Sequence, residues 1–298
     1  MSNTAIITSA QTVQTVTVRS GGRALTVTAG DALISGWPTI APHVPGASAT
    51  VRVCRPSGAA VNVPAHLAEA RRLINAHLHV LHLGYDTLAV HSVAMYRPGT
   101  GVVVLLGGHG AGKTLTGTAL GLRGWRWLSG DVTLLDAPAA GGVSVRGGTG
   151  AIIARRTALR RWFPGLAVPE AGPGLLDLHD RQDRPPFMGA GTSPIVGRVA
   201  AAALIDVTGD PSRGPGGDEI QLLEPHTAET VWWTGSGHLL DRVRAEPGAL
   251  PLRALEGERE LLRRARLVRT VARDLPVHLL CGTPHRIAEQ VERLAGRT

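Results

Sequence analysis

The stretch VVVLLGGHGAGKTLTGTALGLRGWRWLSGDVTLL, residues 102–135, decides the fold. An apolar strand-like run leads into a glycine-rich turn, and a helix-forming run follows at once. Gly107–Thr114 satisfies G-x-x-x-x-G-K-[ST] in full, between a strand pattern and a helix pattern. A triphosphate needs that context: glycines let successive backbone N–H groups converge on phosphate oxygens, and the start of a helix adds positive potential. Lys113 is the single lysine in a chain whose Lys and Arg together number 31. An ammonium is a compact point charge that fits inside a ring of amides, whereas a planar guanidinium is too broad.

The expected nucleotide contacts are therefore Gly108, His109, Gly110, Ala111, Gly112, Lys113, Thr114 and Leu115, with ATP and Mg²⁺ as the expected ligands. The Thr114 hydroxyl is placed to reach the metal. Asp131 follows Lys113 by 18 residues, on or just after a strand beside the loop strand. An acidic residue there is expected to bind Mg²⁺ or to act as base toward an acceptor hydroxyl. The plainer alternative is an aspartate satisfied by turn amides.

Outward from this stretch, the pattern is α/β. Upstream, LAVHSVAMY before the Arg97-Pro98-Gly99 turn reads as a strand. Downstream, RRTALRRWF reads as a helix, GRVAAAALIDVTG as a buried strand, PVHLLCG as a strand and PHRIAEQVERLA as a closing helix. Residues 1–63 form short alternating β-prone runs cut by Gly, Pro and Asn, a small β-rich N-terminal region. Residues 64–85 carry apolar positions on one helical stripe opened by Pro64, a bridging helix, and residues 86–298 form the main domain.

Of the 298 residues, 43% are hydrophobic and only 3% aromatic, so the core is built from Val, Leu, Ala and Ile. The formal net charge of +8 suits a phosphate-bearing partner without naming one. Nucleic acid is not expected, because no basic face with stacking aromatics stands out. The densest basic run, ERELLRRARLVRTVAR, reads as the solvated face of an amphipathic helix. Cys54 and Cys281 are far apart, which suggests neither a disulfide framework nor a zinc knuckle. No basic n-region with an apolar core opens the sequence, and no apolar run approaches the ~20 residues of a membrane span. A cytoplasmic location without membrane association is the expectation.

Other constellations read more plainly. Of His77, His79 and His82, only the last two share a helical face, with no carboxylate at ligand spacing. Trp232 and Trp233 read as a strand pair with one ring in the core. The loop His179–Pro194 is a candidate lid or acceptor-binding segment.

The order LAVHSVAM, VVVLLGGHGAGKT, then GLRGWRWLSGDVTLL resembles the catalytic domain of HPr kinase/phosphorylase and its wider HPr kinase-like relatives. In that family a histidine-bearing strand precedes the phosphate loop and an RGxxLxxDD segment follows it. The resemblance runs through His91, Gly107, Gly112, Lys113, Thr114, Arg123, Gly124, Leu128 and Asp131. It also sets SPIVGRVAAAALIDV against the family's PGRN loop and strand, which gives Arg198 a phosphate-directed role. The implied fold is an HPr kinase-like P-loop kinase core, a mixed sheet with flanking helices. The implied catalytic set is Asp131, Lys113, Arg198 and His91, with Thr114 and Asp131 as metal ligands, and self-association is implied as well.

One departure bears on function. Where the family has paired aspartates, this chain has Gly130-Asp131, and the family's downstream signature with a metal-binding glutamate is not evident. Either Asp131 keeps the base role while Thr114 and water hold the metal, or His91, His109 or Asp136 substitutes, or turnover is weak. The leading expectation is an ATP-dependent kinase acting on a hydroxyl of a small metabolite or peptide in a specialised biosynthetic pathway. The alternatives are an HPr-type protein serine kinase and a catalytically weak nucleotide-binding regulatory protein.

Overall fold

The computed structural model describes residues 13–55, 59–137, 141–178, 197–208, 220–245 and 248–296, and the His179–Pro194 loop lies outside them. The chain is a mixed α/β structure with two principal sheets. The first begins as a hairpin of β1 (Val13–Ser20) and β2 (Arg23–Gly30), turned by Gly21 and Gly22, both at positive φ. The short strands β3 (Arg52–Val53) and β4 (Val61–Asn62) complete the order β3-β1-β2-β4. Between them runs the helix α1 (Asp31–Ile40), followed by a 3-10 turn at Ala41–His43.

The sequence pattern gave only strands here. Gly36 and Pro38 mask α1, yet Leu33, Trp37 and Ile40 fall on one face and are buried, so tertiary burial overrides propensity. The helix α2 (Leu67–Leu83) begins three residues after Pro64. Its Ala70, Ile74 and Leu78 pack into the core of the small sheet, while Leu83 enters that of the large one.

Beyond α2 the chain lays down β5 (Thr87–His91), β6 (Val93–Arg97) and β7 (Gly101–Leu106), then α3 (Lys113–Leu122). The run LAVHSVAMY is thus two strands broken at Ser92: β5 pairs with the later strand Val132–Asp136 and β6 pairs with β7. Next come β8 (Arg126–Ser129), β9 (Val132–Asp136), β10 (Ser144–Gly148), β11 (Ile153–Arg155), α4 (Arg156–Trp162) and β12 (Leu175–Asp177). The long strand β13 (Gly197–Val207) is followed by β14 (Gln221–Leu222), α5 (Pro225–Gly237), α6 (Glu258–Asp274), β15 (Val277–Gly282) and α7 (Pro284–Ala295).

The large sheet runs β5-β9-β10-β13-β7-β6-β8, with β15 also pairing β13 and carrying β14 at its edge. Strands β7, β13 and β15 are parallel and the remaining pairings are antiparallel. Alternation along β7 sends Val103 and Leu105 to the face covered by α3 and α7, and Val102, Val104 and Leu106 to the opposite face. Both faces are covered, so the central strand is apolar throughout.

Two expectations are corrected. The tandem tryptophans sit in α5, not on a strand; Trp232 is fully buried and Trp233 lies under the Arg264 guanidinium, 3.6 Å from ring centroid to Cζ. The arginine-rich helix is not solvated all along its basic face, since Arg264 is fully buried. Its charge is matched by Glu256, at 2.6 and 2.9 Å, because a guanidinium can be buried only when paired. His79 and His82 are core histidines: His79 stands 3.6 Å from Glu256, and His82 Nε2 is 2.8 Å from the Ser20 hydroxyl. Among the described residues no helix is long and apolar enough to cross a membrane.

Candidate functional site

The site lies at the C-terminal end of β7, where the parallel strands stop and α3 begins. Gly107, Gly110 and Gly112 have φ of 145°, 86° and 93°, a conformation that side chains rarely adopt. A Cβ on Gly112 would stand 2.5 Å from Val207 Cβ, so the turn is closed against β13, and the Val207 N–H donates to the Ala111 carbonyl at 2.9 Å. Of the loop amides, Ala111 donates to Gly108 O; among the described residues those of Gly110, Gly112, Lys113 and Thr114 find no backbone acceptor. Free amides at the start of a ten-residue helix are what a phosphate tail requires.

Lys113 is buried, and its Nζ donates to the carbonyls of Gly107 (2.9 Å) and Gly108 (3.1 Å). Burial pushes its pKa down to about 8, with Asp131 opposing the shift. The ammonium is thus held over the loop by weak neutral acceptors that an anion can replace.

Asp131 begins the turn into β9 and faces the same cleft, its side chain 46% exposed. His91, at the end of the neighbouring β5, places Nε2 3.3 Å from Asp131 Oδ1. His238, just after α5, stacks on His91 with ring centroids 3.8 Å apart and planes 8° from parallel. Arg242, four residues further in the turn after α5, donates to His238 Nε2 at 2.7 Å and reaches within 4.0 Å of Asp131 Oδ2.

The protonation pattern follows. Desolvation works to raise the Asp131 carboxyl, but the hydrogen bond and charge of His91, with His238 and Arg242, outweigh it and hold the group well below the usual carboxylate range. Burial pushes His91 down despite Asp131, and burial with the charges of His91 and Arg242 pushes His238 down to about 3. At neutral pH, then, Asp131 is ionised and both imidazoles are neutral. A guanidinium can only donate, so His238 Nε2 accepts and its proton is on Nδ1; an ionised carboxylate can only accept, so His91 Nε2 donates to Asp131.

Gly130 explains the missing second carboxylate. A Cβ there would meet Ala151 C at 2.9 Å and Ile152 Cα at 3.0 Å, with the Ala151 carbonyl oxygen nearer still. The Ala151 backbone is fixed in turn, its N–H donating to Pro42 O at 2.8 Å from the small sheet's side. No side chain fits at residue 130 without moving that segment. Of the suggested substitutes, Asp136 is ion-paired to Arg146 at 2.7 Å and does not line the cleft. His109 lies in the loop with its ring 6.3 Å from that of His91.

Arg198 is the clear correction. It is the second residue of β13, paired with Ser144, beside the start of β7. The glycine loop meets the other end of β13 at Val207, nine residues or ~30 Å away at strand rise. The same parallel pairing that buries β13 therefore keeps Arg198 from the glycine loop. Arg123 and Gly124 also serve the fold: Arg123 ion-pairs with Glu292 of α7 at 2.7 Å, and Gly124 ends α3 at φ 90°.

The sequence reading missed His238, Arg242 and Arg71, which come from segments distant from the loop. The cleft has a volume of about 1070 Å³ and also reaches Pro42 and His43 of the small sheet, Asn75 of α2, and Trp162 of α4.

The donor set near Asp131 discriminates between metals. His91, Asp131 and His238 bring ligand atoms within 4.8 Å of one another, a nitrogen-rich set that suits a transition metal, but Arg242 occupies His238 Nε2 and adds positive charge. Mg²⁺ prefers oxygen, which Asp131 and the Thr114 hydroxyl supply within the cleft. The chain matches no protein-family model and no curated protein.

Proposed function

We propose that the protein is an ATP-dependent kinase with an HPr kinase-like P-loop core, transferring the γ-phosphate to a hydroxyl of a small metabolite or peptide. The observation that carries this reading is the meeting, in one cleft, of the Lys113 loop with an ionised, histidine-oriented Asp131. Lys113 and the free loop amides hold the β- and γ-phosphates, and Thr114 with water would hold Mg²⁺, which would offset phosphate charge and leave Asp131 its base role.

Asp131 accepts the hydrogen bond of the incoming hydroxyl and fixes its oxygen in line. As that oxygen bonds to the γ-phosphorus, the bond to the bridging oxygen breaks, and the hydroxyl proton passes to the Asp131 carboxylate. His91, donating from Nε2, keeps the carboxylate turned toward the cleft. Since Arg198 is remote, charge on the transferred group falls to Lys113 and Arg242.

Incubation with labelled ATP, Mg²⁺ and a panel of hydroxyl-bearing nucleosides, sugars, amino acids and peptides tests the reading: label should move to a member of the panel. Absence of magnesium-nucleotide binding by calorimetry would sink it. The sealed Gly130 favours one second reading, a nucleotide-binding regulatory protein of low turnover. In that case Asp131→Asn leaves the measured behaviour almost unchanged.

A further inference from the structure

The cleft is more positive than a phosphate tail explains. Its lining carries Arg71, Arg72, Lys113, Arg155 and Arg242 against Asp131 and Asp177. Arg72 is matched by Glu69, and Lys113 serves the loop. Arg71 is different. It is half-buried on α2, and among the described residues it makes no ion pair or hydrogen bond. Burial and the like charges of Arg242 and Arg72 act against its charged form, with Asp131 the one neighbour that favours it.

One helical turn on, Asn75 also lines the cleft. It is 8% exposed; its Nδ2 donates to His43 O at 3.1 Å, while its Oδ1 is buried with no partner. A cation and an acceptor, four residues apart on one helix, thus face the cleft with their capacity unused. Neighbouring guanidiniums repel, and an anion between them removes that cost while gaining charge-assisted hydrogen bonds.

We propose that Arg71 and Arg242 form an anion subsite beside Asp131, with Asn75 accepting from a donor on the same ligand, so that the acceptor bears a carboxylate or phosphate next to its hydroxyl. The word acceptor rests on the kinase reading; the anion subsite does not. The small sheet and α2 then form the acceptor side of the cleft, opposite the loop.

The test uses the full chain loaded with Mg²⁺ and a non-hydrolysable ATP analogue, titrated calorimetrically with glycerate, glycerol 3-phosphate and glycerol. At least one of the two anions should bind and glycerol should not, and Arg71→Gln should weaken the anion about tenfold. The preferred anion tells a carboxylate source from a phosphate source. Thermal melting checks that the variant is folded, and Asn75→Leu, which keeps the charge, should weaken binding without removing the preference for anions. If nucleotide binds but neither anion does, if glycerol binds equally, or if Arg71→Gln binds unchanged, the subsite is overturned. If the anions bind as described but no member of the labelled-ATP panel, these two included, ever takes label, the subsite stands and the kinase reading falls.

Discussion

The two sides of the cleft are built on opposite principles. The loop side is local: residues 107–114 supply glycines, amides and ammonium from one turn, and β13 only braces it through Val207. The proposed acceptor side is assembled from afar, with Arg71 and Asn75 from α2, His91 from β5, Asp131 before β9, and His238 and Arg242 after α5. A local site is specified by its own sequence, whereas a dispersed one depends on every element that carries a piece of it.

This contrast can be broken from either side. The largest effect is expected from Asp131→Asn, which should lower turnover about a thousandfold while magnesium-nucleotide affinity stays within about threefold, read by steady-state kinetics and calorimetry. Next, Lys113→Arg should weaken magnesium-nucleotide binding about a hundredfold despite keeping the charge, because the guanidinium does not fit the loop. Gly130→Asp, which restores the paired aspartates in sequence, should destabilise the fold by about 3 kcal/mol in denaturant titration without raising activity.

The smallest effect sharpens the picture of Lys113. Its free-state pKa is lowered to about 8, and bound phosphate raises it again. Below pH 8 the ammonium is already charged and nucleotide affinity is flat; above pH 8 each unit should cost about tenfold, with uptake of a proton on binding. Calorimetry in buffers of different ionisation enthalpy measures that proton. A flat profile to pH 10 would show that Lys113 is not desolvated.

The same division governs what could be read from sequence. The strand–loop–helix unit, the Asp131 turn, β13, β15 and α7 were legible because period and turn chemistry are local properties. The helix α1 was hidden by Gly36 and Pro38, because burial of Trp37 and Ile40 rather than propensity makes it a helix. Tandem Trp232-Trp233 looked like a strand, yet Pro225 at the start of α5 and the burial of Trp232 fix a helix. His238 and Arg242 were invisible as site residues because only the packing of α5 against β5 brings them to His91. Arg198 was misplaced for a related reason: resemblance gave it a role, and strand register put it at the wrong end of β13.

The bond from the Ala151 N–H to Pro42 O has a practical bearing on how the chain can be cut. An expression clone trimmed to start at the large sheet would strip a donor of its acceptor and bare the wall behind Gly130. The small sheet is accordingly a buttress rather than a tag, and excising it should cost the protein its cleft along with its front end.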